Sequence, residues 1–214
     1  MIQSVEKAII QQTNDFRELN QLHVVNSDEH LSRAAKEFAE FMARTGKYGH
    51  RTNGMTPAER VEKAGYDYCV VRENIAYRKN SGEVTAKSLT DVFVQGWIDS
   101  PPHRENMLAK FSTDTGVAVA TTDNITYYAV QLFGRPHSAA FQLTITNKSD
   151  KTQTVVFRAN DQQEKVELQP RMIVKLTRCF PTTVFLSGSD KTSQVETDTE
   201  MTVTGQGLIV GDQK

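Results

Sequence analysis

Three short segments of the chain carry polar side chains beside residues that interrupt regular structure. Their chemically active members are His50, Glu73 and His103. Imidazole and carboxylate groups can act as general acids and bases, and both can bind a divalent metal. Two neutral imidazoles and one carboxylate would suit zinc with one open position, where a bound water could be activated. The same three groups could instead form a metal-free, hydrogen-bonded trio that holds three loops together.

Further polar residues flank these three in the sequence and are candidates to line the same site. They are Asn74, Asp99, Ser100, Arg104 and Asn106. The prolines at 101–102 stiffen the backbone and project His103 from the end of a helix. A serine hydrolase is disfavoured, because the three-residue spacing of Ser100 and His103 does not by itself bring their side chains together. No aspartate that could orient the histidine is evident either.

The composition is that of an ordinary globular protein, since 38% of the 214 residues are hydrophobic and 24% are charged. A formal net charge of −1 and the lack of a basic stripe argue against a nucleic-acid partner. No apolar run approaches the roughly 20 residues that span a bilayer. The first residues contain no apolar signal-peptide core, so the protein is either cytosolic or is seen after removal of a signal.

The two cysteines, Cys69 and Cys179, lie far apart in the sequence and form no CxxC motif. A zinc–thiolate site is therefore disfavoured. One long-range disulfide can form if the compartment is oxidising, and otherwise the two are reduced, partly buried thiols. A bridge between them would join the two halves of the chain and would imply export.

Apolar periodicity predicts two helices near the start of the chain. In the first, apolar residues recur at loosely helical spacing, namely Val5, Ile9, Phe16 and Leu19. The second is built around residues 31–42, which follow the spacing of an amphipathic helix. Ser27 is its candidate N-cap and Gly46 its stop signal.

Two more helices and two strands follow. The capping box of residues 56–59, with proline at the first helical position, begins the third helix. The fourth covers residues 85–98, and the prolines at 101–102 forbid its continuation. Residues 116–121 and 125–133 are β-rich runs joined by a predicted hairpin turn.

The pattern changes at residue 138. Helical periodicity disappears, and five short alternating runs separated by turn residues follow one another. Such spacing is typical of a small sandwich or barrel. The sequence therefore predicts two domains, an α/β domain of residues 1–137 and a β-rich module of residues 138–214.

Six motifs occur in an order that resembles the CAP superfamily, which groups cysteine-rich secretory proteins, antigen five and plant pathogenesis-related proteins. The similarity covers residues from about 10 to 134, and the Ser-Pro-x-His-Arg form resembles the bacterial branch. The motifs are Asn14-x-x-Arg17, Gly49-His50, Glu73-Asn74-Ile75-Ala76, Trp97-x-x-Ser100-Pro101-x-His103-Arg104-x-Asn106, Gly116-Val117-Ala118-Val119 and Tyr128 to Gly134.

The resemblance implies an α+β fold, namely a three-layer α-β-α sandwich with a cleft, here followed by the β module. In the family, two histidines and acidic residues line the cleft and can hold zinc or another divalent cation, and these carry over to His50, His103 and Glu73. The second acidic residue of the eukaryotic members has no clear counterpart, although Asp99 and Ser100 lie nearby. The resemblance also implies a secreted or periplasmic protein whose signal has been removed.

Two functions are compatible with these residues. The first, which we favour, is a binding module for a lipid, glycan or protein ligand without catalysis. The second is a zinc-assisted hydrolase, a peptidase, with Glu73 as base and His50 and His103 as ligands. Because Glu73 cannot easily serve as both metal ligand and base, the hydrolase needs a second acid at the cleft, and Asp99 and Glu83 are the candidates.

Overall fold

The computed structural model of the protein describes residues 1–80, 82–160 and 162–211. It divides the chain into unit 1, Met1–Ser138, and unit 2, which begins at Ala139. This division lies one residue beyond the boundary that the change of sequence pattern predicts. In the described part of the chain, no helix is long and apolar enough to cross a membrane.

Unit 1 contains helices on both sides of one sheet. The helices are α1 (Ile2–Leu19), α2 (Glu29–Thr45), α3 (Pro57–Lys63), α4 (Ala86–Asp99) and α5 (Pro101–Met107). The strands are β1 (Asn26–Ser27), β2 (Tyr68–Lys79), β3 (Asp114–Ala120) and β4 (Thr126–Pro136). Their order in the sheet is β1-β3-β4-β2, and all neighbours are antiparallel except the parallel pair β1 and β3.

Successive side chains of the central strands point to opposite faces of the sheet, so each strand serves two cores. In β3, Ala118 packs with α2 and α3, whereas Val117 and Val119 pack with α1 and α4. In β4, Val130 belongs to the first core and Ala129 to the second. The sheet is therefore the middle layer of a three-layer α-β-α sandwich, which confirms the predicted fold.

The predicted helices are present, but local details differ. Asp28, not Ser27, caps α2, because its Oδ1 accepts from the backbone N–H groups of residues 30 and 31. Gly46 ends this helix in the left-handed conformation, as predicted. In α1, Leu19 is 82% exposed although it fits the helical spacing, whereas Arg17 is fully buried.

Arg17 and Asn14, both in α1, hold the chain segments around them. The Arg17 guanidinium donates to four backbone carbonyls, those of residues 23, 107, 109 and 112. The Asn14 side chain both donates to and accepts from the backbone of Val25, at 3.0 and 2.9 Å. The Asn-x-x-Arg motif therefore has a structural role, because it satisfies buried backbone groups in irregular segments.

Among the helices and strands of unit 1 given above, β1, β2 and α5 were not predicted. Strand β2 was missed because charged and amide side chains at residues 72–74 interrupt its apolar alternation. Helix α5 does not follow from the sequence pattern, because the prolines at 101–102 end α4 and also occupy the first turn of α5, where proline is tolerated. Strand β4 also continues through Gly134, which was expected to end it.

Unit 2 is a β-sandwich. Its strands are β5 (Phe141–Asn147), β6 (Gln153–Ala159), β7 (Gln162–Leu168), β8 (Ile173–Arg178), β9 (Thr182–Leu186), β10 (Thr192–Val195), β11 (Thr199–Thr204) and β12 (Gly207–Val210). They form two sheets of order β10-β9-β6-β7 and β12-β11-β5-β8. Alternate residues of β5 and β6, such as Leu143 and Val155, meet in one apolar core.

Candidate functional site

Three elements of unit 1 bring the candidate residues together. Glu73 and Asn74 lie in β2 at the edge of the sheet, and His50 lies in the loop between α2 and α3. His103 lies in the first turn of α5. The sequence motifs are far apart along the chain, and they meet because β2 contacts both α3 and α5.

Glu73 is the centre of a buried polar network. Its side chain is 1% exposed, and its Oε1 lies 2.7 Å from Nδ1 of His50. Its Oε2 accepts a hydrogen bond from Nη2 of Arg60, whose side chain is 4% exposed. Both carboxylate oxygens are thus engaged, and Arg60 supplies the charge that compensates the buried carboxylate.

Arg60, in α3, is a functional residue that sequence reasoning missed. Its Nη1 donates to the carbonyls of His50 and Met55 at 2.9 and 2.7 Å, and its guanidinium stacks 3.6 Å from the centroid of the Phe38 ring. The sequence signal was weak, because an arginine in the second turn of a short helix is normally exposed. Only its position next to the apolar Val61 indicated that this face of α3 is buried.

A second network fixes α5 against β2. The Asn74 amide donates to the carbonyl of His103 at 3.0 Å. The Asn106 amide donates to Oδ1 of Asn74 at 2.9 Å and to the carbonyl of Glu73 at 3.1 Å. Asn74 is fully buried, so these two residues hold the site together and do not line an open surface.

The His103 ring is oriented by its neighbour Ser100, whose Oγ lies 2.8 Å from Nδ1. The two side chains therefore do meet, which their spacing in the sequence did not by itself decide. Burial, and then the charge of His50, lower the pKa of His103, so its ring is neutral near pH 7. Among the described residues no aspartate or glutamate hydrogen-bonds to His103, so the arrangement lacks the third member of a triad.

The remaining candidates lie away from these networks. Asp99 is exposed and accepts from Gln95 at 2.9 Å, and Glu83 is exposed in the segment before α4. Arg104 donates to the carbonyl of Ile98 at 3.0 Å. None of these three lines the cleft between β2 and α4, so the described residues provide no second acid there.

Cys69 lies in β2 and Cys179 follows β8, and their pairing stays a prediction.

An open cleft of about 280 Å³ lies between the end of β2 and α4. Its polar and aromatic lining residues are Tyr48, Tyr77, Arg78, Trp97, Ser100 and His103. The Tyr48 hydroxyl and the Trp97 indole N–H both donate to the carbonyl of Ile75, at 3.0 and 3.3 Å. Burial and the nearby Tyr77 and Glu73 raise the pKa of Tyr48, which keeps its hydroxyl protonated as a donor.

The residues present do not fit a metal held by His50, His103 and Glu73. The Glu73 carboxylate is already occupied by a guanidinium and an imidazole, so a divalent cation would have to displace or repel Arg60. Among the described residues, no group of three or more His, Cys, Asp and Glu side chains could hold a metal ion.

The fold and these motifs define a CAP domain, and a family comparison agrees. The model of the family described as "CAP: Cysteine-rich secretory protein family" matches residues 10–133, more than half of the chain. The chain belongs to this family. The match includes the whole of the polar site and cleft, from His50 to His103.

Bacterial proteins are among the proteins whose sequences are similar to this chain. An uncharacterised protein of Borreliella burgdorferi is 29% identical over 133 residues, which are 60% of this chain and 77% of that protein. The uncharacterised protein YkwD of Bacillus subtilis is 28% identical over 126 residues, which are 58% of this chain and 46% of that protein. The chain thus spans less than half the length of the second relative.

Two solved structures share the fold of unit 1. An outer surface protein from Borrelia burgdorferi has a TM-score of 0.54 and 23% identity, over 62% of this chain and 92% of that one. An extracellular protein from Bacillus anthracis that contains an SCP domain has a TM-score of 0.51 and 22% identity, over 63% and 41% of the two chains. At these identities the likeness shows the fold alone.

Proposed function

We propose that unit 1 is a non-catalytic binding module that takes its ligand in the cleft lined by Tyr48, Tyr77 and His103. One observation carries the proposal, namely that both oxygens of the buried Glu73 carboxylate are engaged by Arg60 and His50. A general base must reach the proton that it removes, and a carboxylate with 1% exposure in an ion pair has no free oxygen for this. The network therefore anchors three segments beneath the cleft.

The binding-module proposal and the competing hydrolase hypothesis predict different results in a peptide-library cleavage assay. We expect no turnover by the full chain, with or without added zinc, because the described residues place neither a free carboxylate nor a set of metal ligands in the cleft. We also expect zinc titration to give the same weak binding for the wild type and for His103→Ala. Mass spectrometry of the library and calorimetry of the titrations measure these outcomes.

Two results would overturn the proposal. One is reproducible cleavage that Glu73→Gln abolishes, which would show that this carboxylate is the base. The other is tight one-to-one zinc binding that His103→Ala removes. Glu83→Gln, at an exposed carboxylate outside the networks, is the matched control and should behave as the wild type in both assays.

Export of this protein is part of the proposal. The similar proteins of known structure are named as an outer surface protein and an extracellular protein, which supports an oxidising compartment. There we expect Cys69 and Cys179 to form a disulfide, because two thiols of an exported protein are oxidised when they can pair. Mass spectrometry should show that the mass of the native protein increases by two hydrogens when the protein is reduced. Two alkylatable thiols in unreduced protein from its natural compartment would contradict this prediction.

A further inference from the structure

The mouth of the cleft presents two aromatic rings to solvent in fixed positions. Tyr48 is 45% exposed and Tyr77 is 56% exposed, and their rings meet edge to face with centroids 5.0 Å apart. The bond from the Tyr48 hydroxyl to the Ile75 carbonyl holds the first ring, and Tyr128, 6.0 Å away, supports the second. Rigid exposed aromatic faces can bind a ligand at little cost in conformational entropy.

The floor of the cleft is open because α4 has a glycine where it faces the cavity. Val92, Phe93, Gly96, Trp97 and Ser100 share the side of the helix that lines the cleft. A Cβ atom at Gly96 would meet nothing within 4 Å, so no packing contact requires a glycine there. Glycine destabilises the interior of a helix relative to alanine, and at this position it leaves open a part of the cleft that a side chain would occupy.

Two other ligand classes fit the cleft poorly. Strand β2 is an edge strand, but side chains already donate to its carbonyls at Glu73 and Ile75, so an extended peptide cannot add to the sheet there. An acyl chain or sterol needs an enclosed apolar cavity, whereas this one is open and is edged by hydroxyl, imidazole and guanidinium groups.

We propose that the cleft binds a saccharide, with the apolar face of a pyranose ring on Tyr77 and its hydroxyls on Ser100 and His103. This inference rests on the proposed function of unit 1 as a binding module. The hydroxyl of Ser100 can donate or accept, and so can a neutral imidazole, which matches the alternating donors and acceptors of sugar hydroxyls. Arg78 lines the cleft and no acidic side chain among the described residues does, so a sugar carboxylate binds better than a free sugar amine.

The chain carries its own probe for this binding, because Trp97 is its single tryptophan and lines the cleft. Titration of the full chain with oligogalacturonate, with oligomers of N-acetylglucosamine and with oligomers of glucosamine should change its fluorescence most strongly for the first. Tyr77→Ala should weaken that binding about tenfold. Gly96→Leu should abolish it by filling the cleft, with no loss of melting temperature. Leu19→Ala, at an exposed apolar residue of α1, is the matched control and should bind as the wild type.

The outcomes separate this inference from the function on which it rests. If the wild type binds no saccharide, the saccharide proposal is overturned and the binding-module function is left intact. The same holds if the wild type, Tyr77→Ala and Gly96→Leu bind the saccharide equally. The saccharide proposal is also overturned if the wild type binds a mixed peptide library or neutral phospholipid vesicles and Gly96→Leu loses that binding. Cleavage of any of these probes would instead overturn the non-catalytic function itself.

Discussion

Arg60→Met is expected to lower the free energy of unfolding of unit 1 by about 3–5 kcal/mol. The substitution leaves the buried Glu73 carboxylate with the His50 imidazole as its one remaining side-chain partner among the described residues. It also leaves the carbonyls of His50 and Met55 without the donor that they now share. The cost is large because the buried charge loses its compensation, whereas methionine keeps most of the packing on Phe38.

Urea unfolding followed by Trp97 fluorescence measures this loss in unit 1, where the single tryptophan lies. The double variant Arg60→Met with Glu73→Gln should recover a substantial part of the loss, because removing both charges removes the penalty of an unpaired one. Arg44→Met, at an exposed arginine of α2, is the control and should change stability by less than about 0.5 kcal/mol. A loss below about 1 kcal/mol for Arg60→Met would show that the ion pair is not a central support of the site.

The second large effect is expected at Gly116 in β3. A Cβ atom there would lie 2.2 Å from the backbone carbonyl carbon of Leu31 and 2.3 Å from the backbone nitrogen of Ser32. These are backbone atoms at the start of α2, so no side-chain rotation can relieve the clash. Gly116→Ala should therefore destabilise unit 1 by about 3 kcal/mol or more, at the upper end of the overpacking range.

Thermal unfolding followed by near-ultraviolet circular dichroism tests this second prediction. The matched control is Gly96→Ala in α4, where a Cβ meets nothing within 4 Å. That substitution should leave stability unchanged or raise it by about 0.5–1 kcal/mol, because alanine favours the helix. An unchanged melting temperature for Gly116→Ala would mean that α2 can move away from β3, which the close packing of Leu31, Ala34 and Ala35 argues against.

These two predictions bear on the origin of the cleft. Glu73 does not line it and instead pairs with Arg60 and His50, and Gly116 allows α2 to approach the sheet that carries β2. The residues of the CAP-like motifs thus serve to position chain segments as much as to contact a ligand. The surface available to a ligand is formed instead by Tyr48, Tyr77 and the α4 face around Gly96.

The sequence by itself determined the elements whose signals are local. The amphipathic spacing of residues 31–42, the αL glycine at 46 and the capping box at residues 56–59 specify α2 and α3, because each signal involves atoms within one or two turns. The change from helical to alternating periodicity near residue 138 likewise separates the two units. The order of the CAP motifs identified the α-β-α sandwich.

Tertiary structure alone decided the features that depend on partners distant in the chain. Strand β2 is polar at residues 72–74 and is still a strand, because Arg60 and Asn106 satisfy its buried groups from α3 and α5. The same contacts turn Glu73 from a candidate metal ligand or base into half of a buried ion pair. A residue's type and spacing give its chemistry, but burial and pairing set its pKa, its accessibility and its charge balance, and these arise only when distant segments meet.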